Sequence, residues 1–242
     1  DEFDRLEMQN SDYARWNDTC AFVQNGNQHY IHENLVDLTF ADLKINLMLF
    51  LNTAGRVVHG KGYDLIGGKS VPVPPSLLRQ LSPSNPLWRL PDVDSGVTGL
   101  VLLEEGPLMV SSLPVVTNEK RGPIRGALIF GKYLDIAEAE RLERLTHLHV
   151  DVRWLGGQPL PADYRAVLPG LAKPSSIFVR SLDRSTIAGY FLLRDVYQNP
   201  ALVVRVSMPR AIYRQGIVTV QYLINALLIT ASVHPEVVLA HD

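Results

Sequence analysis

A helical period dominates the first part of the chain. Two sets of residues, offset by three places, are each spaced by seven: Phe3, Asn10 and Asn17, and Leu6, Tyr13 and Cys20. This a/d spacing predicts a helix whose seam contacts either a second copy of the chain or the domain's own core. A second helical segment is predicted from His29 to Leu38, after the turn at Asn25-Gly26-Asn27.

From Ile45 the pattern changes to short apolar runs separated by turn residues. The predicted strands of a first sheet are Ile45–Leu51, Arg56–His59, Val97–Glu104, Leu108–Val116 and Ile124–Gly131. Because short turns join most of these runs, we expect an antiparallel sheet with the preceding helices on one face. The Pro- and Gly-rich stretch Gly67–Pro91 is predicted to be loop around one short helix near Ser76–Leu81.

The remaining chain repeats the order of helix and then sheet. Asp135 is predicted to cap a helix from Ile136 to about Thr146. The predicted strands that follow are His147–Leu155, Ser176–Asp183, Ile187–Val196 and Ala201–Met208. Pro209 suits the first turn of a closing helix.

The sequence therefore predicts an α+β fold in three parts. Residues 1–134 form N-terminal helices and a first antiparallel sheet, residues 135–208 form a second, smaller unit of helix and antiparallel sheet, and residues 209–242 form a C-terminal helix leading towards a membrane span. Within that last part, Gly216–Val233 is largely apolar but shorter than the roughly 20 residues of a spanning helix. It is interpreted either as a packed terminal helix or as the root of a truncated membrane helix.

Composition excludes several classes of protein. The 242 residues are 46% hydrophobic and 20% charged, which is typical of a globular chain with a sizeable core. The net charge of −2, without a long run of one sign, argues against a nucleic-acid partner. Cys20 is the single cysteine, so no intrachain disulfide forms. The start lacks both a methionine and a signal peptide, and we expect the chain to be part of a longer protein.

Catalytic and metal-binding patterns are weak. Gly68-Lys69-Ser70 resembles the end of a phosphate-binding loop, but a Pro-rich run follows where a helix is needed. His147, His149 and Asp151 alternate on one predicted strand; such a set can hold a divalent ion but is more often the solvated side of a strand. No nucleophile, base and acid can be assembled. We predict no catalytic site, no metal and no cofactor in this chain.

The segments from Asp12 to Cys20 and from Tyr30 to Leu35 combine aromatic, acidic and basic side chains on helices. Such residues can wall a polar, aromatic pocket. Alternatively, Trp16 anchors the core and Asp18 caps a neighbouring main-chain amide.

The same segment resembles the "DYA-x-WDD" motif of the type-four domain of the CHASE family. The resemblance continues in further segments: Asn34-Leu35, Asn52 to Val58, Pro114, Gly122 to Gly126, Gly131 to Asp135, Leu193 to Tyr197 and Met208 to Gly216. It spans nearly the whole chain. Asn17 and Cys20 stand where the family usually has an Asp and an aromatic residue.

The resemblance implies a fold akin to PAS and Cache sensors. It also implies a periplasmic or extracellular sensor (input) domain of a bacterial or archaeal membrane receptor, bracketed by two membrane helices. The output domain inside the cell would be a diguanylate cyclase, a cyclic-di-GMP phosphodiesterase or a histidine kinase.

We therefore predict signal transduction by a domain that binds a small-molecule ligand and relays a conformational change. A parallel homodimer is the expected relay, with the Phe3/Leu6/Tyr13 seam as its contact; the alternative is a ligand-free dimerisation or protein-partner module. The predicted ligand-binding residues are aromatic or charged and lie beside the first sheet: Tyr13, Trp16, Asp18, Tyr30, Tyr63, Trp88 and Arg89.

Overall fold

The computed structural model describes residues 2–120, 122–134, 148–157, 159–173, 176–210 and 222. The described helices are α1 Glu2–Ala14, α2 Asn17–Asn25, α3 Gln28–Asn34, α4 Asp37–Leu43, α5 Pro75–Gln80 and α6 Ala162–Val167, followed by a 3₁₀ helix at Leu168–Leu171. The described strands are β1 Leu47–Asn52, β2 Val57–Asp64, β3 Lys69–Val71, β4 Val97–Leu103, β5 Gly106–Val115, β6 Gly126–Tyr133, β7 His149–Trp154, β8 Ile177–Ser181, β9 Thr186–Arg194 and β10 Pro200–Pro209.

Each of the two helices predicted at the start is split in two. The first breaks at Trp16, whose main chain is extended (φ −94°, ψ 139°). The second breaks at Val36, which is also extended (φ −73°, ψ 158°). Between them, Gly26 ends α2 in the left-handed conformation (φ 61°), and the Asn27 side chain caps α3 by accepting from the amide of Tyr30.

The first sheet is antiparallel throughout and has the strand order β3-β2-β1-β6-β5-β4. The five predicted strands are present, and β6 lies beside β1 and closes the middle of the sheet. The sixth strand, β3, falls in the stretch that the sequence predicted as loop. It has three residues, of which Lys69 and Ser70 are exposed, so it carries no apolar alternation.

Both faces of this sheet are covered. Met48 and Phe50 of β1 contact the N-terminal helices in one core, which we call the helix-face core. Leu47 and Leu49 point the other way, into a second core beneath α5 and its flanking loops. We call this second core the lid-face core and residues 73–88 the lid. Strand β5 lies between the two cores and is buried along its whole length.

The α1 seam packs against this sheet. Leu6 and Asn10 are fully buried, and Phe3 and Tyr13 pack on the helix-face core. Of the two interpretations of the seven-residue spacing, the one with a seam facing the domain's own core is therefore correct. The expected dimer contact through Phe3, Leu6 and Tyr13 is wrong, because the sheet already occupies that face.

The second sheet is a smaller antiparallel unit with the order β7-β10-β9-β8. Helix α6 and the 3₁₀ helix, which the sequence did not predict, cover one face with Tyr164, Val167 and Leu171. Pro209 is the last residue of β10 and not the start of a helix. The predicted helix at 136–146 lies outside the described residues, and so does the predicted closing helix beyond Arg210, including the 216–233 stretch, except for Tyr222.

Candidate functional site

Tyr13 and Trp16 form an aromatic pair at the edge of the helix-face core. Their rings are stacked with centroids 4.6 Å apart, and Tyr13 also contacts Phe130 of β6 at 5.6 Å. Trp16 remains 38% exposed, so one side of the pair faces solvent. The break between α1 and α2 produces this exposure, because it turns the chain at Trp16.

Tyr30 lies deeper in the same core. Its ring stacks on Phe22 at 4.4 Å, and its hydroxyl group lies 2.7 Å from that of Thr19. Burial, with smaller contributions from nearby Tyr13 and Asp18, raises the pKa of Tyr30 to about 12 despite the Thr19 hydrogen bond. Asp18 itself is exposed. The structure thus brings four of the seven predicted residues into one region.

The other three predicted residues do not join this group, although Tyr63 belongs to the same helix-face core. Tyr63 is buried against Phe40 of α4, with ring centroids 5.9 Å apart. Trp88 belongs to the lid, on the opposite face of the sheet, where its indole N–H donates to the main-chain oxygen of Ser82. Arg89 follows it and is exposed. The seven residues therefore do not line a single pocket, and their role in binding stays a prediction.

The lid is held down by polar contacts around a fully aliphatic interior. The Ser76 hydroxyl donates to the Glu105 carboxylate, and Arg79 pairs with Glu104 at 2.6 Å. The Ser112 hydroxyl donates to the main-chain oxygen of Leu87. The buried members of the lid-face core are leucine, valine and isoleucine side chains only. The described members of this core therefore offer a buried ligand no charged group.

The two sheets meet where the turn between β9 and β10, residues 195–199, inserts beside the lid. The Val196 amide donates to the main-chain oxygen of Leu100 at 2.8 Å. Val196 and Tyr197 pack on the lid-face core, while Ala201 and Leu202, just beyond the turn, belong to the helix-face core. One end of the second sheet is thus anchored to both cores of the first.

Val196 approaches the first sheet closely. A Cβ atom built on Gly99 of β4 would lie 2.9 Å from Cγ1 of Val196, so a side chain at Gly99 would force this contact to shift. The turn itself is stabilised by Asp195, whose Oδ1 accepts hydrogen bonds from the amides of Tyr197 and Asn199 at 2.9 and 2.7 Å.

An open cleft of about 620 Å³ lies between the lid and this turn. Polar side chains enter it from both sides, with Asn85 on the lid and Asp195, Tyr197 and Asn199 on the turn. None of these was predicted as a site residue. The segment from Leu193 to Tyr197 contributed to the family resemblance, but nothing in the sequence indicated that it would meet Asn85.

Two other polar regions of the second unit are internally paired. In a cleft of about 530 Å³ beside β8 and β9, Arg194 donates to the main-chain oxygens of Gln198 and Ala172. Under α6, Arg205 donates to Asp163 at 3.0 Å and to Asp151 at 3.3 Å.

The alternating set that could have held a metal is only partly described. His147 lies outside the described residues, and the Asp151 carboxylate is paired with Arg153 and Arg205. The described ranges contain no group of three or more potential metal-ligating side chains. No helix among the described residues has the length and hydropathy needed to cross a membrane.

Comparison with known proteins identifies relatives by sequence. The model of the CHASE4 domain family matches residues 1–153. The chain is also 30% identical over 221 residues to the methanogenesis regulatory histidine kinase FilI of Methanothrix harundinacea (strain 6Ac). That match covers 91% of this chain but 24% of the relative, so the chain spans about a quarter of that kinase's length.

Comparison of folds gives domains of a GGDEF family protein and of a histidine kinase. A domain of a sensory box/GGDEF family protein from Vibrio parahaemolyticus superposes with a TM-score of 0.53 at 12% identity, covering 86% of this chain and 91% of that one. The extracellular domain of vpHK1S-Z8, described as a histidine kinase, gives 0.50 at 13% identity and covers 89% of both chains. The α+β, PAS/Cache-like fold prediction is confirmed.

Proposed function

The chain belongs to the CHASE4 family of sensory domains, and we propose that it is the extracytoplasmic input domain of a transmembrane receptor. In this function a small molecule binds the domain and changes its conformation, and the change passes through the membrane to a cytoplasmic output domain. Membership of the family confirms the prediction of a sensory rather than a catalytic domain.

A histidine kinase is the output that the relatives favour. The curated relative is a histidine kinase, and its remaining length leaves room for domains beyond the region that this chain matches. A diguanylate cyclase or a cyclic-di-GMP phosphodiesterase remains the alternative output, since one similar fold comes from a GGDEF family protein. We further propose a parallel homodimer, formed through a surface other than the buried α1 seam.

The observation that carries the proposal is the anchoring of the β9–β10 hairpin. Its turn is packed beside the lid of the first sheet, and β10 leads directly into the C-terminal part of the chain. A movement of the lid therefore displaces β10 through Val196 and Tyr197. A ligand shifts this equilibrium only to the extent that it binds one arrangement more tightly than the other.

The test is to loosen the turn without unfolding the domain. Val196→Ala removes two methyl groups from the contact with Gly99, and the matched control Val179→Ala removes the same groups from an exposed position on β8. In the full-length receptor in membranes, we expect Val196→Ala to change the basal output severalfold and Val179→Ala to leave it unchanged. Equal output from Val196→Ala and the wild type would refute the relay.

One observation favours the second candidate, a ligand-free dimerisation or protein-partner module. Both faces of the first sheet are filled by side chains, so a ligand enters there only by displacing a helix or the lid. Trp16→Ala tests whether the predicted pocket beside the aromatic pair binds a ligand. If neither a metabolite-induced thermal shift nor the stability of the domain changes, Trp16 has no part in a ligand site.

A further inference from the structure

We infer that the cleft between the lid and the β9–β10 turn binds a small polar molecule, neutral or singly cationic, that carries both a hydrogen-bond donor and an acceptor. This inference rests on the proposed function, because it places the ligand of the sensor beside the turn that relays the signal. It does not involve the seven residues predicted from the sequence.

The orientation of Asn85 determines what Tyr197 can offer. Asn85 is buried, its Oδ1 accepts from the amide of Leu87 at 2.8 Å, and its Nδ2 donates to the main-chain oxygen of Gln80 at 2.7 Å. The same Nδ2 donates to the Tyr197 hydroxyl oxygen at 2.9 Å. Since these contacts fix the amide, Tyr197 accepts from Asn85 and its own hydroxyl proton is directed to another acceptor.

The Tyr197 hydroxyl keeps that proton at neutral pH. Burial raises the pKa of Tyr197, and the nearby Asp195 carboxylate raises it further, against the opposing effect of the Asn85 hydrogen bond. Among the described residues, no hydrogen bond donated by this hydroxyl is found. A ligand acceptor, such as a hydroxyl or carbonyl oxygen, completes its hydrogen bonding.

Asp195 supplies the complementary group. Its Oδ1 is engaged by two main-chain amides, whereas Oδ2 receives a long hydrogen bond of 3.4 Å from Nδ2 of Asn199. A carboxylate oxygen has capacity for more than one donor, so Oδ2 can accept from a ligand hydroxyl or amino group. Asp195 is itself 8% exposed, which places the charge at the wall of the cleft and not in open solvent.

The charge of the cleft selects the class of ligand. Among the described residues that line it, Asp195 is the only one with an ionised side chain, and none is a lysine or an arginine. A carboxylate or phosphate ligand would face this charge without a cation, which disfavours it. A polyol, sugar or amino alcohol meets no such repulsion. The volume of the cleft is within the range of small-molecule sites.

Binding in this cleft would also act on the relay. Asn85 belongs to the lid and Asp195 to the turn, so a ligand that contacts both stabilises the arrangement in which they are close. A ligand in the cleft would thus stabilise the same contact between the turn and the first sheet that Val196→Ala weakens.

The experiment is a thermal-shift screen of this chain, followed by calorimetry. The probes are glycerol, glucose, ethanolamine and choline, with malate and inorganic phosphate as the anionic set. We expect at least one of the first group to raise the melting temperature by about 5 °C at a hundred times its Kd, and the anions to raise it less. A shift from none of the first group, or tighter binding of malate or phosphate, would overturn the inference.

Tyr197→Phe tests the site itself, because it keeps the ring packing and removes the hydroxyl. We expect the affinity for the probe to fall about tenfold. Tyr133→Phe, at a half-buried tyrosine that packs on the same core, should leave the affinity unchanged. Unchanged affinity in Tyr197→Phe would place the probe elsewhere. If no probe binds the cleft and Val196→Ala still alters the output of the receptor, the inferred site is wrong and the proposed function stands. If a probe binds the cleft and Val196→Ala leaves the output unchanged, the site stands and the proposed relay is wrong.

Discussion

The side-chain amide of Asn10 donates hydrogen bonds to the main-chain oxygen of Ser111 on β5 at 2.8 Å and to that of Leu128 on β6 at 3.0 Å. Asn10 is fully buried, so α1 is fixed over the junction of these two strands by a buried polar contact. This contact sets the position of α1 along the sheet.

We expect Asn10→Ala to lower the free energy of unfolding by about 2 kcal/mol, because it removes these hydrogen bonds and leaves a small cavity. Urea denaturation measures the change as a shift of the midpoint. Asp12→Ala, at an exposed position of the same helix, is the matched control and should change stability by less than about 0.5 kcal/mol. Equal effects of the two substitutions would show that the buried hydrogen bonds of Asn10 do not stabilise the domain.

The hydroxyl groups of Thr19 and Tyr30 form an isolated buried pair, 2.7 Å apart. Tyr30→Phe leaves the Thr19 hydroxyl without this partner, and we expect a cost of about 1–2 kcal/mol. Thr19→Val should cost a similar amount. The double substitution should cost less than the sum, with a coupling energy of about 1 kcal/mol in a double-mutant cycle. Additive effects would show that the pair contributes nothing.

Tyr30 also gives the domain an alkaline limit. Because its pKa is about 12 in the folded state and ordinarily 10, the unfolded chain loses this proton first. The resulting stabilisation of the fold is complete below pH 10 and is lost as the pH rises from 10 to 12. Tyr30→Phe should lose less stability than the wild type over this interval, measured by urea denaturation at fixed pH values.

Local pattern was sufficient to predict most of the strands. The apolar run at β1 and the turn residues that follow it identify a hairpin without further information, and β1 pairs with β2 as that pattern requires. The sequence also indicated that the side of α1 carrying Leu6 contacts something. It could not tell a second copy from the domain's own sheet, because both bury the same residues.

Features that depend on contacts distant in sequence were not predicted. The break at Trp16 has no glycine or proline to mark it, and the stacking of Tyr13 on Trp16 appears only when the chain turns there. The cleft brings Asn85 and Tyr197 together across 112 positions of sequence. Neither residue has a local pattern that distinguishes a site from an ordinary loop.

His59 lies half-buried beside an aromatic ring on the helix face of β2. Phe22 is 6.1 Å from its ring centroid, and its Nε2 is buried without a hydrogen-bond partner. Burial lowers the pKa of His59, and the nearby ammonium group of Lys61 lowers it further. The unfolded chain therefore binds a proton at a pH where the folded chain does not.

We expect this histidine to make the domain less stable in acid. Stability should fall as the pH decreases below about 6.5, the ordinary pKa of histidine, and stop falling below the folded-state pKa. His59→Gln should be less sensitive to pH between 7.5 and 5.5 in urea denaturation. His32→Gln, at an exposed position of α3, serves as the control. If His59→Gln keeps the pH dependence of the wild type, another group causes it.

Arg205 of β10 holds α6 on the second sheet. Its guanidinium donates to Asp163 of α6 and to Asp151 of β7, and it lies over the ring of Tyr164 at 5.3 Å. The Arg205 side chain is 19% exposed, whereas Arg153, the other partner of Asp151, is 47% exposed. The two arginines therefore offer a matched comparison of a partly buried and an exposed ion pair.

We expect Arg205→Met to lower the free energy of unfolding by about 2 kcal/mol, because two carboxylates lose the cation that they share. We expect Arg153→Met to lower it by less than about 1 kcal/mol. Urea denaturation at neutral pH measures both changes.

The dependence of stability on pH in the acidic range, which we call the acid limb, provides a second measurement. Burial acts to raise the pKa of Asp163, but hydrogen bonds from Tyr190 and Arg205 outweigh it and hold the pKa below its ordinary value. The resulting stabilisation is present above about pH 4 and is lost as the pH falls through the folded-state pKa. Arg205→Met should therefore lose less stability on acidification than the wild type or Arg153→Met, and an unchanged acid limb would show that Arg205 does not hold the Asp163 carboxylate in its charged form.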